Sequence, residues 1–205
     1  MNALRTPYLA ATLAGLVALV ALIVLGITPA RAADPAEPLV LIAKRKLNGN
    51  FYGSTILITK PVGGDQHVGF IINRPTKLTM GRLFPDHPPS QKVRDPVYLG
   101  GPVNTQVIFA LVRSSSNPGN GSIQIAPDMF VVSDSATMDK LIETTPGDAR
   151  FFAGMVAWSS GELREELEKG LWYTLEPEAK LVMPPSTEGM WEELVLRMER
   201  RAGGI

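Results

Sequence analysis

Residues 54–73 read STILITKPVGGDQHVGFIIN. Two runs rich in β-branched and aromatic residues, 54–59 and 67–73, flank the turn-rich stretch 61–65, which holds two consecutive glycines and an aspartate. β-Branched side chains suit a pleated surface, and Gly and Asp tolerate the backbone of a tight reversal, so this stretch predicts a β-hairpin. A hairpin commits the chain to antiparallel pairing, and the flanking sequence supplies further strands. Residues 39–43 (LVLIA) form a short apolar run directly after Pro38, as a buried strand does. Downstream, 97–99, 106–112, 123–125, 129–132, 151–158 and 171–175 have the same character, and 180–183 is a weaker candidate. So many short strands predict a large, twisted, mainly antiparallel or mixed sheet, partly barrel-like.

Helical signals are fewer. Residues 135–144 carry Met138, Leu141 and Ile142 on one face and stop before Pro146-Gly147. Ser159 and Glu162 have capping-box spacing, which predicts a helix through Lys169 closed by Gly170. Within it Leu163 and Leu167 share one face, while Glu165 and Lys169 can pair on the other. In the last segment, 190–201, Trp191, Leu194, Val195 and Met198 follow helical spacing, and Arg197, Arg200 and Arg201 complement the dipole of the final turns. A short helix after Thr79 is cut off by Pro85, Pro88 and Pro89, so 84–96 reads as a loop, as does 114–122 (SSSNPGNGS). The expected architecture is α+β, a single domain over 39–205 with peripheral helices and no internal repeat.

The 205-residue chain has 20 Lys+Arg, 20 Asp+Glu and no Cys. Disulfides, thiolate metal sites and cysteine nucleophiles are thereby excluded. A formal net charge of zero argues against the broad basic face of a protein that grips many nucleic-acid phosphates.

The N-terminus reads as an address. No residue between Thr6 and Ala30 is charged, the stretch 9–27 is almost wholly aliphatic, and Ala30-Arg31-Ala32 follows it. This pattern predicts a signal peptide over 1–32 with a mature chain starting near Ala33, or else a retained membrane anchor, because the apolar run reaches the roughly 20 residues that span a bilayer. Either form places the domain in the periplasm, free or anchored to the inner membrane. Residues 33–38, with Pro35 and Pro38, read as a linker. Loss of Arg5 and Arg31 leaves 18 basic against 20 acidic residues, a formal mature charge of −2.

Three segments, residues 69–76 (GFIINRPT), 99–103 (LGGPV) and 151–172 with its WSSGELREELEKGLW core, stand in the order and spacing of the YqgE/AlgH family, which the sequence resembles. The likeness extends from Leu41, Phe51 and Ser54 to Trp191 and Leu194, nearly all of 39–200. It implies an α+β domain with a large curved sheet, and little about activity; part of that family carries a transcriptional-regulator label. The chain departs from the usual family pattern at Gly154-Met-Val-Ala-Trp158, at Lys44-Arg45-Lys46, and in its export segment.

Candidate chemistry is sparse. His67 and His87 are the only imidazoles and lack metal-ligand spacing, so neither a metal nor another cofactor is expected. There is no Gly-x-Ser-x-Gly elbow, and the cap explains Ser159, so no catalytic residue is assigned. Gly100 and Gly101 could offer amides to an anion, but Pro102 removes a donor and a tight strand-end turn explains them as well. Asn73-Arg74-Pro75 suits a strand-ending turn, while Arg74 could hold a carboxylate or phosphate in a bidentate manner. Trp158, Trp172 and Trp191 read as core, Glu162, Glu165, Glu166 and Glu168 as a solvated helix face, and Lys44-Arg45-Lys46 as an exposed strand end or a modest anionic-lipid contact. The candidate ligand-binding set is Asn73, Arg74, Gly100, Gly101, Trp158 and Ser159. The expected role is a non-catalytic binding or regulatory accessory of the bacterial envelope, with a protein or a small anionic ligand as partner and the membrane as a further contact through 9–27 if that segment is retained. Nucleic acid is not an expected partner. The alternatives are a hydrolase-like enzyme with a polar site near Arg74, Gly100 and Trp158, and a nucleic-acid-binding regulator.

Overall fold

The structure, a computed structural model, describes residues 36–203 except Asn48 and Asn50. Residues 1–32, expected to be an export segment, and the start of the expected linker lie outside the described residues. β1 (Leu39–Ala43) pairs antiparallel with β2 (Ile56–Gly63), and β2 with β3 (Gln66–Ile71), which forms the expected hairpin. Its turn is shorter than the sequence suggests. Gly64 (φ 58°) and Asp65 (φ 60°) are both left-handed, the signature of a two-residue reversal whose twist matches its strands. Pro61 therefore lies inside β2, beside a register shift between Pro61 and Gly63 that accommodates its missing N–H.

The chain continues through β4 (Pro75–Thr79), α1 (Met80–Leu83), β5 (Pro96–Leu99), β6 (Val103–Arg113), β7 (Ser122–Ala126) and β8 (Met129–Val132). It ends with α2 (Ser135–Thr144), β9 (Ala149–Trp158), α3 (Glu162–Glu168), β10 (Trp172–Leu175), α4 (Ala179–Val182) and α5 (Met190–Gly203). The sheet runs β10-β1-β2-β3-β9-β6-β8-β7, with β5 parallel to β9 and β4 paired to β5. It curls into a half-barrel, and the domain is α+β as expected.

Three local readings are corrected. Residues 180–182 of the 180–183 segment, read as a weak strand, lie in α4, and Met183 caps it before Pro184-Pro185: Ala179, Lys180 and Leu181 are good helix formers. The strand-ending turn read at Asn73-Arg74-Pro75-Thr76 holds only as far as Arg74, since Pro75 opens a further strand, β4, at an end where no ladder donor is needed. Within the proline-rich loop, Pro88–Lys92 winds into a 3-10 turn.

Alternation along the strands sorts the core into faces. Val40 and Ile42 of β1, Ile56 and Ile58 of β2, Phe70 of β3, Leu111 of β6 and Phe152 of β9 point into the concave side, where Val182 of α4 and Trp191, Leu194 and Val195 of α5 cover them. The Trp191 indole N–H donates to Ala43 O at 2.8 Å, which pins α5 to the end of β1. The convex side carries two separate clusters. Ala110, Val112, Phe130, Val132 and Phe151 pack under Met138, Leu141 and Ile142 of α2, whereas Leu41, Leu57, Ile71, Val156 and Trp158 pack with Leu163 of α3. β9 serves both by changing parity: Phe151 and Ala153 face the convex side before Gly154, Val156 and Trp158 after it, and Phe152 and Met155 both face the concave core. Gly154 has φ 72°, and a Cβ there would lie 2.5 Å from Gly101 O and 2.9 Å from Val103 O. Only glycine fits the irregularity that makes the switch.

Candidate functional site

The sequence-predicted residues lie along the convex face. Just past β3, the Asn73 side chain accepts from Ile56 N–H (2.8 Å) and donates to Ser54 O (2.9 Å). Arg74 Nη2 donates to Phe51 O (2.5 Å) and Gly53 O (3.1 Å), and its guanidinium stacks 4.9 Å over the Phe51 ring. Both side chains thus clamp the loop that enters β2. Gly100 closes the same region by accepting from Ile71 N–H and donating to Ala153 O, each at 2.8 Å. A Cβ on Gly100 would collide with Gly154 O, and one on Gly101 with the Met155 backbone. The Gly100 amide that could have faced an anion instead extends the parallel pairing of β5 with β9, and Gly101 makes the close approach to the β9 backbone as the chain passes on to β6.

Trp158 and Ser159 stand at the other end of β9, where Trp158 is paired with His67. The link between the two groups is a set of residues that sequence reasoning assigned elsewhere. Glu166, read as part of a solvated face, turns one carboxylate oxygen to two indoles: Trp172 Nε1–H donates at 2.7 Å and Trp158 Nε1–H at 3.0 Å. Both tryptophans are buried, and Glu166 lies three residues beyond the buried Leu163 on the inner side of α3. The Tyr52 ring meets Phe51 and Trp172 edge-on, with centroids 5.1 and 6.2 Å apart. Burial raises the Tyr52 pKa, and the carboxylates of Glu166 and Glu162 raise it further. Burial lowers that of Arg74, which Tyr52 partly opposes.

Ser159 does not cap α3 through its hydroxyl. Gly161, left-handed at φ 81°, is the cap residue, so the helix begins at Glu162; the Glu162 carboxylate accepts from Ser159 N–H at 2.9 Å, which is half of the expected box. The hairpin tip docks here too, with Asp65 accepting from Arg164 at 2.8 and 3.3 Å. Lys169 pairs with Glu165 at 3.0 Å, as the spacing predicts. His87 Nδ1 lies 2.7 Å from Ser90 Oγ. Among the described residues no group of three or more His, Asp or Glu is placed to hold a metal ion, and no helix is long and apolar enough to cross a membrane.

A second feature has no counterpart in the motifs. At the end of the half-barrel away from Trp191, the inward rows of β2, β3, β6, β7, β8 and β9 leave a chamber of about 140 Å³ with an almost purely carbon wall. Phe70, Phe109, Ile125, Val131 and Met155 form its wall, Val62, Val68 and Ile123 are at its mouth, and Lys60 is the one charged residue lining it. Period-two reading of β2 puts Lys60 on the inward row of Ile56 and Ile58, but the chamber itself needs all six strands. Two larger crevices flank α4; their walls hold the ion pairs Arg113–Asp128 (3.2 Å) and Lys180–Glu178 (2.8 Å) beside further charged residues of both signs.

The AlgH-like family model matches residues 40–202. The chain belongs to the AlgH-like family. Its relatives include UPF0301 proteins of Chlorobium phaeobacteroides, 30% identical over 160 residues (77% of this chain and 83% of the relative), and of Chlamydia muridarum, 26% identical over 165 residues (79% and 86%). Two solved structures share the AlgH-like fold: a Corynebacterium diphtheriae protein, with TM-score 0.68 and 19% identity over 80% of this chain and 88% of that one, and the AlgH protein of Pseudomonas aeruginosa, with TM-score 0.63 and 20% identity over 83% and 89%. These AlgH-like neighbours fix family and fold and leave the function of the family uncharacterised.

Proposed function

We propose that this AlgH-like domain is a non-catalytic binding accessory that works outside the cytoplasm, in the bacterial envelope. The observation that carries the binding role is the open apolar chamber: a folded domain gains by filling such a concavity with side chains, and this one leaves it lined, shaped and accessible at the mouth of the half-barrel. The uncharged stretch from Thr6 to Ala30 supports the address. The hydrolase-like alternative draws on Arg74, Gly100 and Trp158, and Arg74 Nη2, the Gly100 amide and carbonyl and the Trp158 indole are engaged with carbonyls, a strand amide and Glu166. A regulator that grips DNA would work against a formal mature charge of −2.

The test is mass and N-terminal sequence of the native protein after separation of periplasm, membrane and cytoplasm, together with a broad hydrolase screen. A soluble periplasmic chain beginning near Ala33, or an intact inner-membrane chain, supports the address, and an intact soluble cytoplasmic chain overturns it. Turnover that is abolished by mutation of one clustered polar site overturns the non-catalytic role.

A further inference from the structure

We infer that the chamber binds a small carboxylate bearing an apolar group of about six carbons, with Lys60 at the mouth as partner of the carboxylate; this rests on the binding role proposed above. Three observations converge on that ligand. The first is size: a cavity of about 150 Å³ walled by Leu, Ile and Phe stays dry and takes up a benzene-sized molecule, and this chamber has about 140 Å³. Besides Lys60, the one polar side chain in its lining is Ser133, whose hydroxyl donates to Gly121 O at 3.4 Å, and Phe70, Phe109, Ile125, Val131 and Met155 make an otherwise apolar wall. The apolar part of the ligand is therefore set by volume and shape.

The second observation is the position of Lys60. Ile56 and Ile58, the two preceding members of its row, are fully buried in the concave core, and the same alternation brings Lys60 to the chamber's edge. A half-buried lysine can lay its methylenes along apolar wall and hold its ammonium at the mouth. The third is availability: among the described residues Lys60 has no carboxylate within ion-pair distance, so its ammonium is not already neutralised, and it is the one charged residue lining the chamber. One ammonium at the rim of a carbon-walled chamber complements one negative charge on an apolar body. It is a weak match for phosphate, which is held best by forked or multiple donors.

Calorimetric titration of the natively processed protein with hexanoate, 3-phenylpropanoate and 1-hexanol at low salt tests the assignment. Both carboxylates are expected to bind in the millimolar range or tighter, and hexanoate about fivefold more tightly than hexanol, the upper end for one exposed ion pair. Lys60→Gln should abolish that preference, bringing hexanoate affinity down to that of hexanol for the same variant. Val68→Phe, which fills the mouth, should weaken all three probes while circular dichroism shows an unchanged fold. Equal binding of hexanoate and hexanol, or a preference that survives Lys60→Gln, overturns the carboxylate assignment and leaves the binding role standing. No binding of any probe overturns both.

Discussion

Glu166 shows how far a charge run can mislead at the scale of one residue. Four glutamates between 162 and 168 look like a solvated helix face, yet the third of them accepts two indole hydrogen bonds from different strands. Its placement was illegible because it depends on Trp158 and Trp172 meeting through the sheet, which no local spacing encodes. Glu166→Ala should cost about 2–3 kcal/mol, since it strands two buried indole donors, whereas Glu166→Gln, which keeps an acceptor, should cost less than half of that; urea denaturation followed by tryptophan fluorescence reads both. Gly154 is the opposite case, a residue whose type alone suggests a backbone role. Gly154→Ala must force a left-handed alanine against Gly101 O and Val103 O, so a loss of about 2–4 kcal/mol or failure to fold is expected from the same titration. Gly147→Ala, where a Cβ meets nothing within 4 Å, should fall near zero.

At the scale of elements, the long periodic segments were the legible ones. The stripe Met138, Leu141, Ile142 fixed α2 to its bounds, and Trp191, Leu194, Val195 fixed the buried side of α5, because amphipathic spacing is written locally. α4 and β4 were missed because four or five residues carry too little pattern to separate a helical turn from a strand, and context decides. The start of α2 makes a pH prediction. Asp134 accepts from the backbone N–H of Thr137 at 2.8 Å and from its hydroxyl at 2.9 Å, and these bonds lower its pKa in the folded state. A depressed carboxylate contributes stability that is present in full above the ordinary Asp value, near pH 4, and is lost as pH falls through the folded value. Wild type should therefore exceed Asp134→Ala in urea midpoint at neutral pH, and the gap should close as the pH is taken well below 4. A gap that persists unchanged in strong acid would remove the cap from the account.

At the scale of the whole molecule, sheet class, single-domain organisation and family were all readable, since short β-branched runs, turn residues and ordered motifs survive in sequence. The chamber was not, because its walls come from six strands whose shared face exists only once the sheet has curled. The curled sheet also explains why α5 matters beyond its own turns: Trp191→Phe removes the donor to Ala43 O and should cost about 1–2 kcal/mol, with protease cleavage within α5 preceding global unfolding. One consequence concerns how members of the family are to be compared. A β-strand is read in steps of two, and at Gly154 this one slips its frame by a single position, so that the residues before and after it belong to different phases of the same message. Relatives should therefore be aligned for the length of the segment equivalent to 149–158 before its residue types are compared. A gap of one residue there would put every side chain beyond it on the wrong side of the sheet, however similar the letters.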